Sequence, residues 1–422
     1  MKSRNPWAWI PTLYFGQGIP YVVVMSISVI MYKKMGISNT DIALYTSWLY
    51  LPWVIKPLWS PFVDMFRTKR FWIVALQLLI GAALAGVAFT IPLPSFFQIT
   101  LAVFWLMAFS SATHDIAADG FYMLALEQHQ QAAFVGVRST FYRIAMIMGQ
   151  GALVYLAGYL ETSTGSIPTA WSITFFILAG LFLSLAIYHK FILPYPVSDK
   201  PTVSDASYNV LKEFFNTFGS FFKKKEIGII LAFLLLYRFA EAQLVKLVTP
   251  FLLDPRVEGG LGLTTQEVGI VYGTVGVLAL TLGGLLGGVV IAKRGLKFWL
   301  WIMVCAIHLP DAMFIYLSQV QPENFYLIST AVAIEQFGYG FGFTAYLLFM
   351  IMTSEGEHKT AHYAICTGFM ALGMMLPGMF SGWLQDQIGY QHFFLWVVIS
   401  TIPGFIVAAF VKIPEEFGKK KA

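Results

Sequence analysis

Apolar residues in this chain neither alternate nor form a single narrow stripe. They run in long blocks, separated by short polar and basic connections. A helix that crosses the hydrocarbon core of a bilayer needs roughly 20 mostly apolar residues. On that criterion twelve spans are predicted, at about 7–32, 41–63, 71–91, 97–125, 134–160 and 170–190, then 227–250, 266–291, 298–319, 326–352, 361–384 and 392–412. The first run is too long for the apolar core of a signal peptide and leads straight into further spans, so no cleavable leader is expected. Trp7, Trp9, Trp299 and Trp301 fall at span starts, where amphipathic rings favour the headgroup level.

The longest connection, 191–226, divides the spans six and six. The expected fold is an all-α membrane protein of twelve transmembrane helices in two six-helix bundles, residues 1–193 and 227–422. A cytoplasmic linker at 194–226 joins them. The linker opens with Pro194, Pro196 and Pro201. It then sets Leu211, Phe214, Phe215, Phe218, Phe221 and Phe222 at helical spacing ahead of Lys223, Lys224 and Lys225, the pattern of an amphipathic helix on the inner leaflet. The two halves also look related. Ser38-Asn-Thr-Asp41 and Thr264-Thr-Gln-Glu267 both read as capping boxes at span starts. Arg67-Thr-Lys-Arg-Phe-Trp72 is answered by Arg294-Gly-Leu-Lys-Phe-Trp299 at nearly the same offset. A parallel duplication accounts for both matches.

Composition narrows the class further. Only 12% of the 422 residues are charged, 58% are hydrophobic, and the mean hydropathy is +0.70. Soluble domains carry about 25% charged residues. A water-soluble enzyme, a disordered chain and a nucleic-acid partner are therefore excluded. The net charge of +5 reflects where the bases lie. With the N-terminus inside, 19 of the 27 Lys and Arg fall in cytoplasmic segments and only Lys33, Lys34 and Arg256 outside, which predicts that both termini are cytoplasmic.

Nothing in the sequence supplies chemistry. No phosphate-cradling G-x-x-x-x-G-K-[ST] occurs. Gly338-Tyr-Gly-Phe-Gly342 lies within a span, and it reads as small residues for close helix packing, like the paired glycines Gly283-Gly284 and Gly287-Gly288. Cys305 and Cys366 sit in apolar runs and the seven His are scattered, so no metal site, cofactor or enzymatic activity is expected. If a solute is moved uphill, an ion gradient or the membrane potential must drive it.

Ten ionisable residues fall inside spans, where each costs at least ~2.5–3.5 kcal/mol on insertion scales. They are Asp115, Asp119, Glu241, Asp311 and Glu335, with Lys56, Arg138, Arg143, Arg238 and Lys246. Asp115 and Asp119 share one face of span 4. Counted from the cytoplasmic end, their depths match Arg143 and Arg138 on the returning span 5. The expected pairs are Asp115–Arg143 and Asp119–Arg138, serving as a structural ladder or as a substrate or proton site. Lys56 either snorkels to the cytoplasmic face or neutralises one of these acids. Arg238 and Glu241, three apart on span 7, are expected to pair within the helix. His308 and Asp311 share a face of span 9 and are expected to form a satisfied buried pair, with a proton relay as the alternative.

Several segments resemble the major facilitator superfamily, and within it the AmpG-type muropeptide permeases, which are akin to acetyl-CoA transporters. They are Phe15-Gly-Gln-Gly-Ile-Pro20, Leu51 through Asp64, Ala112 through Gly120, Gly136-Val-Arg138 with Tyr142-Arg143, Glu267-Val-Gly with the span 8 glycines, and His362 through Asp386. The resemblance runs over nearly the whole chain and is most specific in spans 2 and 4. It departs in having His114 where Gln is common and in lacking the additional C-terminal spans of some permeases.

The resemblance implies proton-coupled import of anhydromuropeptide-type amino sugars across a bacterial inner membrane, by a monomer whose partners are the solute, a proton and the lipid bilayer. It implies a cavity lined by spans 1, 4, 7 and 10, with Asp115, Asp119, Glu241 and Glu335 near the path and Asp311 peripheral to it. It also implies that the loop Asp64-Met-Phe-Arg67-Thr-Lys-Arg70 latches a cytoplasmic gate. The residues themselves offer Tyr14, Gln17, Tyr21, Tyr142, Gln243, Gln336 and Tyr339 for stacking and hydrogen bonds to a sugar. Arg143 or Lys56 suits an anionic carboxylate. A siderophore, acyl-CoA or other organic-anion permease on the same frame is the nearest alternative, and a non-transporting sensor of wall fragments is a third.

Overall fold

Among the residues described by the computed structural model (4–200, 216–356 and 358–419), every regular element is a helix. Ten helices are long and apolar enough to cross a bilayer. Span 2 is a further helix in two pieces, Asn39–Trp48 and Leu51–Phe66, either side of a turn at Leu49 and Tyr50. The stretch Ala361–Phe410, expected as two spans, is broken at Gly389, whose φ of 73° and ψ of 166° only glycine adopts readily. The helices are thus consistent with twelve spans. Large apolar side chains such as Phe89, Leu282, Leu285 and Phe380 remain exposed on their outer faces, as lipid contact requires.

Both span starts are capped by the expected hydroxyl, and the full capping box forms at Thr264 but not at Ser38. Ser38 Oγ accepts from the Asp41 N–H at 3.0 Å. Thr264 and Glu267 make the reciprocal pair, with Thr264 Oγ1 accepting from Glu267 N–H at 3.2 Å and Glu267 Oε2 accepting from Thr264 N–H at 2.8 Å.

The chain packs as two compact units, one of residues 1–31 and 55–215 and the other of 32–54 and 216–422. In the first, Trp9, Leu13, Ile73, Phe121 and Leu193 form the core that joins the N-terminal ends of spans 1 and 3 to the C-terminal end of span 4. π-helical turns at Val23–Ile27 and Met148–Leu153 meet where Gly149 lies against Val22; an added Cβ would be 2.5 Å from Val22 Cγ1. Such turns often mark functional sites.

In the second unit, Phe233, Tyr237, Met303, Tyr346, Phe349 and Cys366 form the main core. Phe221 also lies within it, fully buried against His362 and Phe369. That end of the linker stripe therefore packs on protein, whereas an inner-leaflet position was expected. Its other residues, Leu211, Phe214 and Phe215, lie outside the described residues. The tail is tied back by Lys412–Glu226 at 2.5 Å and Lys297–Glu415 at 2.8 Å. The hydrogen bond from Lys412 holds the Glu226 carboxyl below its usual range.

The glycines of spans 8 and 10 do what small residues at a helix interface do. A Cβ on Gly283 would lie 2.1 Å from the Phe337 carbonyl oxygen, and one on Gly340 2.0 Å from that of Leu280. Span 10 approaches span 9 as closely, since a Cβ on Gly338 would lie 2.1 Å from Ala306 O. Gly340→Ala must push two backbones apart, and it is expected to cost about 1–3 kcal/mol, the range for overpacking. Gly288→Ala, which meets nothing within 4 Å, is the neutral control. Thermal unfolding of the two purified variants checks the contrast.

Candidate functional site

The first unit concentrates its charge on span 4, helix Phe96–Ala125. Asp119 Oδ1 accepts from Arg138 Nη2 at 2.8 Å and from the Tyr14 hydroxyl at 3.2 Å. The Arg138 guanidinium also lies over the Tyr14 and Tyr122 rings, 4.5 and 5.0 Å from their centroids. The depth-matched pair Asp119–Arg138 is thus formed. One turn earlier, Lys56 Nζ stands 3.6 Å from Asp115 Oδ2, so its stem delivers the ammonium to this acid and not to the membrane face.

These side chains stay partly open. The Arg138 and Asp119 side chains are 27% and 42% exposed, and those of Lys56 and Asp115 29% and 16%. A wetted pair is weak and exchangeable, which suits groups that trade partners with an incoming ion or solute. Tyr142 lies one turn beyond Arg138 on the same face of span 5, with Arg143 next to it in sequence. Gly18 brings span 1 against the Tyr142 carbonyl, where an added Cβ would be 3.2 Å away. Beside it Gln17 is buried with its Oε1 unpartnered.

Behind Asp115 runs a polar chain that charge-based reasoning missed. Thr12 Oγ1 meets His189 Nε2 at 2.9 Å, His189 Nδ1 meets Gln77 Oε1 at 2.8 Å, and Gln77 Nε2 meets His114 Nε2 at 3.2 Å. Gln77, His114 and His189 are fully or almost fully buried. As Gln77 is oriented, its carbonyl accepts from one imidazole and its amide donates to the other, so neither ring needs to be charged. The available signal was a lone amide in an otherwise apolar span 3.

In the second unit, two expected pairs do not form. Span 7 breaks between Ile227–Leu236 and Phe239–Leu253, with Arg238 at φ −110°, ψ 20°. The helical i,i+3 relation of Arg238 to Glu241 is lost there. Arg238 donates to the Tyr339 hydroxyl and lies 4.6 Å from the Phe343 ring centroid, while neither Glu241 oxygen has a hydrogen-bond partner. Span 9 likewise breaks into a tight turn at Leu309–Asp311. Both His308 nitrogens and both Asp311 oxygens lack a hydrogen-bond partner among the described residues, so they are not a satisfied pair. Asp311 instead joins Glu241 and Glu335, their carboxylate oxygens lying within 4.8 Å of one another. The sequence expectation had left Asp311 on the periphery.

The second unit also holds a polar cluster around Asp254. Lys33 Nζ is 2.5 Å from Asp254 Oδ1, and the Tyr390 hydroxyl donates to Asp254 Oδ2 at 2.6 Å. Asn39 Nδ2 donates to Gln385 Oε1 at 2.7 Å and Tyr390 Oη at 2.8 Å, and Thr40 Oγ1 to Asp386 Oδ2 at 2.5 Å. Gly382 permits this approach, because a Cβ there would lie 2.0 Å from Asn39 O. Nearby, Lys246 Nζ donates to Thr46 Oγ1 at 3.0 Å.

Of the loop after span 2, the Asp64 side chain lies outside the described ones. Arg67 lies over the Phe71 ring, 5.4 Å from its centroid. Arg70 donates to the Lys190 carbonyl and stacks 3.8 Å from the Tyr195 ring centroid. The Asp199 carboxylate accepts the backbone N–H groups of Lys69 and Arg70 at 2.7 and 3.0 Å. These contacts bind the loop to the segment after span 6.

Comparison with known proteins agrees with this architecture. Residues 12–355 match the model of the Major Facilitator Superfamily. A putative transporter AmpG 4 of Rickettsia conorii is 27% identical over 414 residues, 93% of each chain. The anhydromuropeptide permease of Escherichia coli K12 is 26% identical over 406 residues, 94% of this chain and 77% of that one. Among solved structures, the nucleoside transporter NupG superposes with a TM-score of 0.71 at 18% identity, covering 96% of this chain and 98% of that one. An inward-facing bacterial homologue of the human lysosomal transporter Spinster gives 0.68 at 15% identity, covering 95% and 94%.

The buried polar chain yields a stability test. Gln77→Leu keeps side-chain bulk but strips His114 and His189 of their shared partner. Leaving buried polar groups unsatisfied costs about 1–3 kcal/mol each. A lowered unfolding midpoint of purified protein is expected, with Gln77→Glu giving only partial rescue because a carboxylate cannot donate to His114.

Proposed function

The chain belongs to the major facilitator superfamily, and we propose that it is an inner-membrane secondary transporter importing anhydromuropeptide-like amino-sugar wall fragments by alternating access. The observation that carries this is the similarity to AmpG-type proteins, 26–27% identity across more than nine-tenths of the chain. The partly open face of span 4 supports it. Arg143 and Lys56 suit a lactyl or peptide carboxylate, and Tyr14, Tyr142 and Gln17 suit a sugar ring and its amide groups. Uptake would be coupled to a proton carried on a carboxylate of span 4, 7 or 10. The Lys and Arg distribution supports cytoplasmic termini.

Access would alternate by rocking of two bundles about a midplane site. The cluster of Lys33, Asn39, Asp254, Gln385 and Tyr390 then acts as a latch that holds the 32–54 segment to spans 7 and 11 and must open in each cycle.

Purified protein in proteoliposomes should concentrate labelled anhydromuropeptide under an imposed pH gradient and stop when a protonophore is added. Binding without accumulation would mean a sensor, and accumulation insensitive to the protonophore would remove the proton. Asp115→Asn and Asp119→Asn should each reduce uptake at least tenfold at normal protein level; normal transport by both would refute their role. A second test addresses the latch. Joining cysteines placed at Asn39 and Gln385 with a short reducible cross-linker should arrest uptake, and reduction should restore it. Parent protein treated with the cross-linker controls for the native Cys305 and Cys366, and untreated Asn39→Cys/Gln385→Cys protein controls for the lost Asn39–Gln385 contact.

A further inference from the structure

We propose that Glu241, Asp311 and Glu335 form a binding site for a hard metal cation of sodium or calcium size. Each contributes a carboxylate oxygen, and these oxygens lie within 4.8 Å of one another. Oxygens sharing one ion at contacts of about 2.3–2.6 Å are separated by at most twice that length, so the grouping fits a single coordination shell. All the donors are oxygen, the set that hard cations select over transition metals.

The state of the individual oxygens points the same way. Glu241 and Asp311 are fully buried and Glu335 is 1% exposed. Both oxygens of Glu241, both of Asp311 and Oε1 of Glu335 have no hydrogen-bond partner among the described residues. Only Glu335 Oε2 is engaged, accepting from Gln336 Nε2 at 2.9 Å. The cation nearest in sequence, Arg238, is turned toward Tyr339 and Phe343. Ionised side by side, three buried carboxylates repel one another and require either protons or a shared counter-charge. A single ion in contact with all three supplies it and satisfies their lone pairs together.

The backbone setting also favours a cation. Glu241 lies in the first turn of Phe239–Leu253, just after the break in span 7. Asp311 closes the tight turn that interrupts span 9. Broken spans free backbone carbonyls from their helical partners, and discontinuous membrane helices use such carbonyls to coordinate ions. A divalent ion together with Arg238 would balance the three carboxylates; a monovalent ion would leave one of them to carry a proton. With a divalent ion the coupling proton of the proposed transport cycle falls to Asp115 or Asp119 of span 4; with a monovalent ion the protonated member of the cluster can also carry it. The site itself rests on the buried cluster and not on the identity of the solute.

The test uses full-length protein in detergent, stripped with a chelator and held at constant pH and ionic strength in choline chloride. Sodium, calcium, magnesium and potassium chlorides are titrated while the thermal unfolding midpoint is read, and binding of radioactive sodium and calcium is measured in parallel. Sodium or calcium should raise the midpoint saturably by several degrees and bind as a single ion per chain. Asp311→Asn and Glu335→Gln should abolish both effects. Because these changes remove unpartnered charge, ion-free variants should be at least as stable as the ion-free parent. The proposal is overturned if no ion shifts the parent, if the shift survives both variants, or if the midpoint follows pH alone. Should the variants fail to fold, radioactive ion binding to the parent decides. Failure of wall-fragment uptake would leave this result untouched, and absence of ion binding would leave the uptake reading untouched.

Discussion

The cost of carrying charge through hydrocarbon governs how this protein is built. A charge placed there has to find a counter-charge, water or an ion, and the two units answer differently. In the first, Asp119 is shared between Arg138 and Tyr14, and Asp115 has Lys56 beside it, with all four charged groups still partly wet. In the second, Lys33 and Asp254 pair near the span ends, whereas the acids deeper in the spans pair with no base among the described residues. Lys246 is committed to Thr46 and Arg238 to Tyr339, while three acids gather without a base among them. The same constraint thus produces an exchangeable pair network in one unit and a sealed anionic cluster in the other.

Breaks in the helices make both arrangements possible. An unbroken α-helix distributes side chains at fixed angles, so residues from different spans converge only where those angles agree. The interruptions at Arg238 and at Leu309–Asp311 re-aim Glu241 and Asp311 toward Glu335. The turn at Leu49–Tyr50 and the break at Gly389 fall in the segments that meet around Lys33 and Asp254. Membrane helices tolerate such interruptions only where protein surrounds the freed backbone groups.

How much of this was legible in the sequence follows from the same geometry. Where a span is regular, residue counting worked: the depths of Asp119 and Arg138 identified their pairing, and the glycines of spans 8 and 10 signalled backbone contact. The caps at Ser38 and Thr264 could be read from side-chain chemistry alone. Where a span breaks, helical spacing misled, as it did for Arg238 with Glu241 and for His308 with Asp311. No residue in Leu309-Pro-Asp311 states on its own that the next helix will start one turn away. The chain through Gln77 was missed for another reason, since a lone neutral amide in an apolar span marks a buried polar group without stating which residue faces it.

The seam between spans 8 and 10 bears on how the anionic cluster can change shape. Carbonyl oxygens sit where Cβ atoms would be at Gly283, Gly338 and Gly340, so spans 8, 9 and 10 are clasped backbone to backbone with little room to slide. Glu335 and the first half of span 9 therefore form a fixed jaw. The half of span 7 beyond Arg238 carries Glu241 at one end and Asp254 near the other, so it links the carboxylate cluster to the Lys33 contact. A small swing of that single half-helix would widen the carboxylate cluster and pull on the Lys33 contact in one stroke. Occupancy deep in the membrane and the grip near its surface would then be read by the same lever.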